Sequence, residues 1–393
     1  MLILLKKIKN YKLIFSIYIL MIYIFRKSIY VISLFLPLYR NNILIKSYNG
    51  DVLTCNPKYI FNFLYNRMSK NLNFILIVND KAINSKNIKY VKYRGFKYYW
   101  YYLTSKFIVV NDVFEFYIPR RKNQIYINTW HGGGAYKKVG FSLINNRDST
   151  KALYYKWAHD CSYMISSSQK TTEAFVESFN ISTSKILNIG MPRNDIFFYK
   201  NKIEDANNKI RIKYNICKDE KLILYAPTWR DDNRIIINDI TNNKILKAFE
   251  QLSNKKPRLM IRAHYNTSNF ILNENSIDVT DYPDMQELLC AADILITDYS
   301  SCIWDFSLML KPCFIYATDI GQYKQERDFY MPMSEWPFPI ATNNAELINN
   351  IVNFNEEVYI KKVKKHHQTL GSYEDGRACE KVHKLIEDII IKG

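Results

Sequence analysis

Short runs of β-branched and aromatic residues alternate with amphipathic stretches from about residue 40 onward. The runs that predict buried strands cover residues 74–78, 107–111, 125–128, 164–166, 222–225, 258–262, 294–297 and 313–316. The amphipathic stretches that predict helices include residues 148–159, 170–179, 285–291 and 303–310. Because strands that alternate with helices form right-handed crossovers, this order predicts an α/β fold with parallel sheets.

A polar stretch rich in Asn and Lys, residues 200–220, divides the pattern into two series. A chain of 393 residues is also long enough for two domains. We therefore expect two Rossmann-like domains that face each other across a cleft, over residues 41–205 and 206–393. The last helix is a candidate for crossing back onto the first domain.

The first 40 residues differ from the rest of the chain. Two apolar runs, Leu13–Phe25 and Ile29–Tyr39, are separated by Arg26-Lys27-Ser28 and flanked by lysines. Each run is shorter than the roughly 20 residues that cross a bilayer, and no small-residue cleavage site follows them. This pattern predicts that residues 1–40 lie in the cytoplasmic face of a membrane, with basic side chains at anionic headgroups. A single spanning helix and an ordinary buried helix remain alternatives.

The charge of the chain restricts its partners. There are 55 Lys and Arg residues against 37 Asp and Glu, a formal net charge of +18. Such an excess favours partners that carry phosphate, namely nucleic acid, anionic lipid or a nucleotide-activated substrate. The seven cysteines form no CxxC pair and no Cys/His cluster, so neither a disulfide framework nor a zinc site is predicted.

Polar residues follow four of the predicted strands, where ligands of parallel sheets bind. These groups are Thr129 to Gly134 with His131, then Thr228 with Arg230, then His264, and then Asp298 with Ser300 and Ser301. Each has an ordinary alternative: a glycine turn, a buried histidine, helix caps or a surface arginine. Their common placement at strand ends favours a site, with the glycines allowing close backbone approach and the serines offering hydroxyls to a phosphate.

Seven segments carry a resemblance to a known family. They are NTWHGGGAYKKVG (128–140), IGMPRND (189–195), YAPTWR (225–230), RAHY (262–265), ELLCAADILITDYSSCIWDFSLMLKPCFIYATD (287–319), ERDFY (326–330) and YEDGRA (373–378). This series resembles the CDP-glycerol glycerophosphotransferases, the teichoic-acid primases and polymerases of bacterial cell envelopes. The resemblance implies a glycosyltransferase-B-like fold and peripheral attachment to the cytoplasmic face of the bacterial membrane. It further implies transfer of a polyol phosphate from a CDP-activated donor to a lipid-linked acceptor, with release of CMP.

In this interpretation an acceptor hydroxyl attacks the β-phosphorus of CDP-glycerol. His131 is the candidate base, because a neutral imidazole accepts a proton near pH 7. The neighbouring Gly132 and Gly133 would let the acceptor come close. The candidate ligands of the donor pyrophosphate are His264, which is also a candidate catalytic residue, with Arg230, Ser300 and Ser301, while Asp298 orients the loop or the donor and Thr228 is a weaker candidate.

No DxD motif is present, so we expect no obligatory bound metal, while Mg²⁺ that arrives with the nucleotide remains compatible.

Three departures from the family pattern concern the polyol and the acceptor. Gly133-Gly134 replaces a Thr-Pro type continuation, the RGFY element reads Arg327 to Tyr330 as RDFY, and the PGP element reads PFP at 337–339. The donor could therefore be CDP-ribitol or another CDP-polyol, and the product a capsule polymer. Two other functions remain: a glycosyltransferase that uses a nucleotide-sugar, and a membrane-bound polyanion-binding protein. No nucleic-acid-binding motif is present, so nucleic acid is not an expected partner.

Overall fold

Two all-parallel β-sheets form the framework of the chain in this computed structural model. The structure describes residues 12–79, 86–112, 114–115, 117–143, 157–228, 240–241, 243–263, 276–326 and 328–392. The first sheet contains β1 Tyr39–Lys46, β2 Asn73–Ile77, β3 Ile88–Val91, β4 Ser105–Val110, β5 Ile125–Asn128, β6 Tyr163–Ser166 and β7 Ile186–Asn188. The second contains β8 Lys221–Ala226, β9 Pro257–Ile261, β10 Ser276–Asp278, β11 Ile294–Thr297, β12 Cys313–Tyr316 and β13 Ile340–Ala341.

The strand orders are β3-β2-β1-β4-β5-β6-β7 and β10-β9-β8-β11-β12-β13. Both place the first strand of a series beside the fourth, as in a doubly wound Rossmann sheet. The predicted α/β class and the eight predicted strands are confirmed. The sequence patterns missed β1 and four short strands, β3, β7, β10 and β13, because these strands contain few consecutive apolar residues or only two to four residues.

Helices cover both faces of each sheet. Their bounds are α1 Lys12–Leu34, α2 Cys55–Met68, α3 Phe96–Thr104, α4 Gln169–Phe179, α5 Lys200–Lys213, α6 Asn243–Ser253, α7 Met285–Ala291, α8 Cys302–Ser307, α9 Ile320–Glu326, α10 Asn344–Val352, α11 Glu356–Thr369 and α12 Ala378–Lys392. The strand side chains alternate between two cores: Ile43 and Ile45 pack on one face of the first sheet, and Leu44 packs on the other. The predicted helix over 148–159 lies mostly outside the described residues.

The chain passes from the first sheet to the second through the 3₁₀ segment Pro192–Phe198. The polar stretch that follows contains α5, which packs on α7 and buries Ala206 and Ile210 in the core of the second domain. The last helix, α12, packs on α2 and places Val382 and Ile386 in the core of the first domain. The last helix therefore ties the end of the second domain back to the first.

The N-terminal helix α1 continues through Arg26 and Lys27, which separate the two apolar runs of the sequence. It corrects the expectation that the basic side chains of this segment lie at anionic headgroups in one case, that of Arg26. The Arg26 side chain does not extend to a lipid headgroup, because it forms an ion pair with Asp160 and donates to the Ile118 carbonyl at 3.0 Å. Among the described helices, none is both long and apolar enough to span a bilayer.

The outward side of α1 is strongly apolar. Among its described side chains, the less exposed ones are Ile22, Arg26, Ile29 and Ser33, which recur at the spacing of one helix face. The other side exposes large apolar residues, and Phe35, just beyond the helix end, is 85% exposed. The described part of α1 contacts its own domain along a narrow stripe and leaves most of its described apolar side chains exposed.

Candidate active site

The carboxyl ends of the two sheets face each other and bring several predicted residues together. A cleft with about 690 Å³ of empty volume lies between them. The cleft is lined by Trp130, His131, Gly132, Gly133, Ala135, Tyr136, Lys137, Lys138, Val139, Thr171, Ala174, Phe175, Tyr299, Ser301 and Tyr330. Of the predicted site residues, His131, Gly132 and Gly133 thus meet Ser301 from the other domain. Thr228, Asp298 and Ser300 are not part of this lining.

His131 lies in the loop after β5 with its ring held on both sides. Its Nδ1 atom is 2.9 Å from the Asn111 carbonyl oxygen, and its ring stacks on Trp130 with centroids 4.5 Å apart. Because a carbonyl oxygen only accepts hydrogen bonds, Nδ1 carries the proton and Nε2 keeps its lone pair. Burial lowers the pKa of His131 to about 4, and the charges of Arg193 and Lys137 act in the same direction. The imidazole is therefore neutral near pH 7, as a base requires.

The Asn111 carbonyl is itself fixed by residues that the sequence analysis did not identify. Lys46 is only 1% exposed and forms an ion pair with Asp112 at 2.9 Å. The Asn111 side-chain oxygen accepts from the Tyr48 amide at 2.8 Å. Burial raises the pKa of Asp112 to about 6, although Lys46 opposes this rise. The buried ammonium of Lys46 thus joins the end of β1 to Asp112, the residue after Asn111. This contact helps to hold the Asn111 carbonyl that bonds to His131.

The three glycines after His131 allow the loop to pack against α8 of the second domain. A side chain at Gly133 would come within 2.2 Å of the Trp304 ring, and Gly134 has a φ of +78°. A Cβ atom at Gly132 would lie 3.3 Å from that of Ser301. The glycines were expected to let a substrate approach the backbone closely. At Gly133 the group that lies this close to the backbone is the Trp304 ring, and Gly132 is the glycine nearest to Ser301.

A buried arginine joins the His131 loop to α8. Arg193 is 6% exposed; it donates to the His131 carbonyl at 2.8 Å and pairs with Asp305 at 2.7 Å. Burial disfavours its charge, but Asp305 and the nearby Cys55 keep the pKa of Arg193 above its ordinary value. Arg193 belongs to the IGMPRND motif, yet its role was not predicted, because spacing alone does not show which carboxylate a buried arginine meets.

Asp298 joins the loop after β11 to the loop after β8. It is 2% exposed, and its carboxylate accepts from the Thr228 amide at 2.9 Å, from the Thr228 hydroxyl and from the Tyr299 amide. These bonds lie where the strand order of the second sheet reverses, the place at which doubly wound sheets bind nucleotides. Of the two predicted roles of Asp298, this geometry corresponds to orienting the loop.

The two serines at the start of α8 occupy different positions. Ser301 lines the cleft and makes no side-chain cap hydrogen bond to the helix. The Ser300 hydroxyl lies 3.4 Å from the Cys302 amide, a distance typical of a weak cap. The predicted residues Arg230 and His264 lie outside the described residues.

Two further groups of contacts join segments of the two domains. In the first group, Lys137 and Phe329 form an antiparallel bridge, and the Lys138 ammonium pairs with Asp328 at 2.6 Å. In the second, Glu374 accepts hydrogen bonds from the Trp304 indole at 2.9 Å and from the Met191 amide at 3.0 Å. Burial raises the pKa of Glu374 to about 8. Both groups of contacts join segments of the motif series, and the sequence did not indicate which segments would meet.

Comparison with known proteins assigns this arrangement to a family. Residues 28–388 match the family described as CDP-Glycerol:Poly(glycerophosphate) glycerophosphotransferase. The chain is 28% identical over 384 residues to the teichoic acid ribitol-phosphate primase of Bacillus spizizenii, covering 94% of this chain and 97% of that protein. It is 32% identical over 340 residues to the teichoic acid poly(glycerol phosphate) polymerase of the same organism, covering 80% and 84%.

A Staphylococcus aureus teichoic acid glycerol-phosphate transferase is 29% identical over 362 residues, covering 88% of this chain and 93% of that protein. Among solved structures, the wall teichoic acid polymerase TagF superimposes with a TM-score of 0.80 and 29% identity. That likeness covers 90% of each chain, and another TagF structure of similar score was obtained after a soak with CDPG. The fold of both domains is therefore that of TagF.

Proposed function

The chain belongs to the CDP-glycerol:poly(glycerophosphate) glycerophosphotransferase family, and on that premise we propose that it transfers glycerol phosphate from CDP-glycerol to a hydroxyl of a lipid-linked acceptor. CMP is released, and the product is a teichoic-acid-type or capsule-type polymer of the cell envelope. The observation that carries this proposal is the cleft in which a neutral His131 lies opposite Ser301.

His131 acts as the base in this mechanism. The acceptor hydroxyl gives its proton to Nε2, its oxygen forms a bond to the β-phosphorus of the donor, and the bond from that phosphorus to the CMP oxygen breaks. The stack on Trp130 and the bond to Asn111 keep the imidazole in one orientation and one tautomer. Its pKa of about 4 makes it a weak base in the free protein. The negative phosphates of a bound donor would oppose the effect of the neighbouring cations and raise that pKa.

The second domain binds the donor. Ser301 contacts the pyrophosphate with its hydroxyl, and Gly132 leaves space for the phosphate between the two loops. Asp298 keeps Thr228 and the start of the serine loop in place through its three donors. Ser300, Arg230 and His264 remain proposed ligands of the pyrophosphate, His264 with a catalytic role as well. No protein-bound metal is obligatory in this mechanism, and Mg²⁺ enters with the nucleotide.

Attachment to the membrane is a further part of the proposal. The apolar outward side of α1 lies in the cytoplasmic face of the bacterial cell membrane, where a lipid-linked acceptor is also anchored. The protein is then peripheral and uses the anionic surface as a partner, while α1 itself stays on one side of the bilayer.

Ribitol phosphate is a second candidate for the transferred group, because the chain resembles the ribitol-phosphate primase along nearly its whole length. The test offers CDP-glycerol, CDP-ribitol and UDP-sugars separately with a soluble acceptor analogue, and measures CMP or UDP release and the product mass. A gain of one glycerol phosphate with CMP supports the proposal, and a gain of ribitol phosphate supports the second candidate. Release of UDP with a sugar adduct would assign a glycosyltransferase instead.

A further inference from the structure

The edge of the first sheet at which its strands begin is lined with basic residues. Arg40 lies in β1 and Lys106 in β4, and Arg120, Arg121 and Lys185 come just before the next strands of the sheet. Within the described part of the chain, none of these five forms an ion pair with a carboxylate. This edge is at the opposite end of the strands from the cleft of His131. The eight residues of β1 separate the two by about 25 Å.

Arg40 and Lys106 differ from the other three cations. Arg121 donates to the carbonyls of Leu36 and Leu103, and Arg120 and Lys185 likewise donate to backbone carbonyls. In the ranges that the structure describes, Arg40 and Lys106 have no such acceptor. They lie near each other where the register of β1 and β4 is irregular, just after the pair of Tyr39 with Ser105, and the charge of Arg40 acts on Lys106.

A niche opens beside this pair. It has about 470 Å³ of empty volume and is lined by Tyr39, Arg40, Asn41, Asn42 and Asn73. The amide groups of Asn42 and Asn73 are hydrogen-bonded to each other at 3.1 Å, which holds one wall of the niche. The niche therefore offers a cation and several amide donors on a surface that is concave and open to solvent.

Arg40 lines the niche and Lys106 lies close to Arg40 outside that lining. Burial lowers the pKa of Lys106, and the positive charge of Arg40 lowers it further. Two neighbouring cations without a carboxylate are stabilised when an anion lies between them, because its charge offsets both their repulsion and their loss of water. The chemistry that fits is a phosphate group, which accepts bidentate hydrogen bonds from arginine.

The niche also begins close to the end of α1 along the chain. This helix ends at Leu34, five residues before Tyr39, and Phe35 is 85% exposed between them. Arg121 fixes the connecting turn by donating to the carbonyls of Leu36 at 2.8 Å and Pro37 at 3.1 Å. An apolar helix and a basic niche are thus held in a defined relation, with the niche at the end of the helix.

We propose that this niche binds the phosphate of an anionic membrane phospholipid whose acyl chains lie along the exposed side of α1. The inference rests on the proposed membrane attachment and adds a specific headgroup site to it. Apolar insertion of α1 accounts for attachment to any bilayer, and the niche accounts for a preference for phosphate-bearing anionic lipid.

The test uses the full chain with Arg40→Glu and Lys106→Glu together. Binding to vesicles of phosphatidylcholine, with or without phosphatidylglycerol, is measured by sedimentation. The control is Lys361→Glu with Lys365→Glu, which changes the net charge equally on two exposed residues of α11. The niche variant should lose affinity for the anionic vesicles on the order of tenfold or more. It should bind pure phosphatidylcholine as the wild type does, and the control should change less than about threefold.

Equal losses in the niche variant and the control would overturn the proposal, because the attraction would then be a property of the net charge. Unchanged binding of the niche variant would overturn it as well. Calorimetry with inorganic phosphate separates the sources of the anion: binding without vesicles that the niche substitutions abolish would assign a site for soluble phosphate instead. CMP release with a soluble acceptor should be the same in wild type and niche variant, so its absence in both would count against the proposed function alone.

Discussion

The two walls of the cleft are held in place in different ways. The wall that carries His131 is fixed by buried charges, the pair of Lys46 with Asp112 and the pair of Arg193 with Asp305. The wall formed by the second domain is fixed by one carboxylate, Asp298, which accepts hydrogen bonds from its own loops. The pair of Arg193 with Asp305 crosses between the domains, so the position of the base depends on the donor domain, whereas these hydrogen bonds of Asp298 stay within the second domain.

This difference suggests why one domain cannot act alone. Arg193 donates to the His131 carbonyl and pairs with Asp305, and Asp305 belongs to the helix that Ser301 precedes. Removing a buried partner leaves an uncompensated charge, which costs far more than losing a surface pair. We therefore expect changes in the first wall to affect turnover and stability together, and changes in the donor wall to affect mainly donor binding.

The largest expected effect is that of His131→Ala. Loss of a general base lowers turnover by about 10² to 10⁴-fold. Donor affinity should stay within a few-fold, because the imidazole acts on the acceptor proton. CMP release and calorimetric binding of CDP-glycerol measure the two quantities. His159→Ala is the matched control, since its side chain is 84% exposed. Turnover that persists in a folded His131→Ala protein would remove this residue from the mechanism.

The next effect is that of breaking the buried pair between the domains. Arg193→Met or Asp305→Leu alone should lower the free energy of unfolding by about 3–5 kcal/mol, because each leaves one charge buried without its partner. The double variant should recover much of that stability but not turnover, because the His131 carbonyl still lacks its donor. Urea unfolding and CMP release are compared for all three. Full recovery of turnover in the double variant would show that the pair only supports the fold.

A smaller effect is expected in the donor wall. Asp298→Asn keeps the shape of the side chain but removes its charge, so the Thr228 and Tyr299 bonds to Oδ1 are no longer charge-assisted and the Thr228 amide loses its second acceptor at Oδ2. We expect donor affinity to fall about tenfold, the effect of one charge-assisted hydrogen bond. Turnover at saturating donor should change much less. A variant that lost turnover and retained its donor affinity would contradict the comparison of the two walls.

The smallest effect concerns pH. The pKa of Glu374, about 8, lies above the ordinary value of 4.5, so the folded chain keeps a proton that the unfolded chain releases. Its contribution to stability is therefore complete below about pH 4.5 and is lost as the pH rises towards 8. The loss should be less than the roughly 1.4 kcal/mol per pH unit of a fully coupled proton. Urea unfolding across this range should show a flatter dependence in Glu374→Gln. Identical slopes would exclude this linkage.

The sequence predicted the framework well, because eight buried strands appear as uninterrupted apolar runs. It also placed His131 and Ser301 at strand ends, and the parallel sheets then bring them to one cleft. Short edge strands such as β13 escaped prediction, because two residues contain no pattern.

Other features depend on partners that are distant in the chain. The pairing of Arg193 with Asp305 joins residues 112 positions apart, and no local pattern indicates it. The same reason applies to Arg26, which resembled a headgroup ligand in the sequence but meets Asp160 in the fold. Likewise, no local pattern indicates that Gly133 packs against Trp304, the neighbour that requires a glycine there. A sequence shows the charge and the size of each side chain, but it does not show which distant residue pairs with that charge or packs against that position.

The protonation of His131 tests the central claim most directly. Nitrogen NMR of protein labelled at its six histidines, with His131→Ala to assign the signal, shows which ring nitrogen carries the proton and when the ring charges. We expect one proton on Nδ1 at pH 7 and no charging of the free protein until the pH falls to about 4. An imidazolium at pH 7, or a proton on Nε2, would contradict the account, because neither state leaves a lone pair at Nε2 to take the proton of the acceptor hydroxyl.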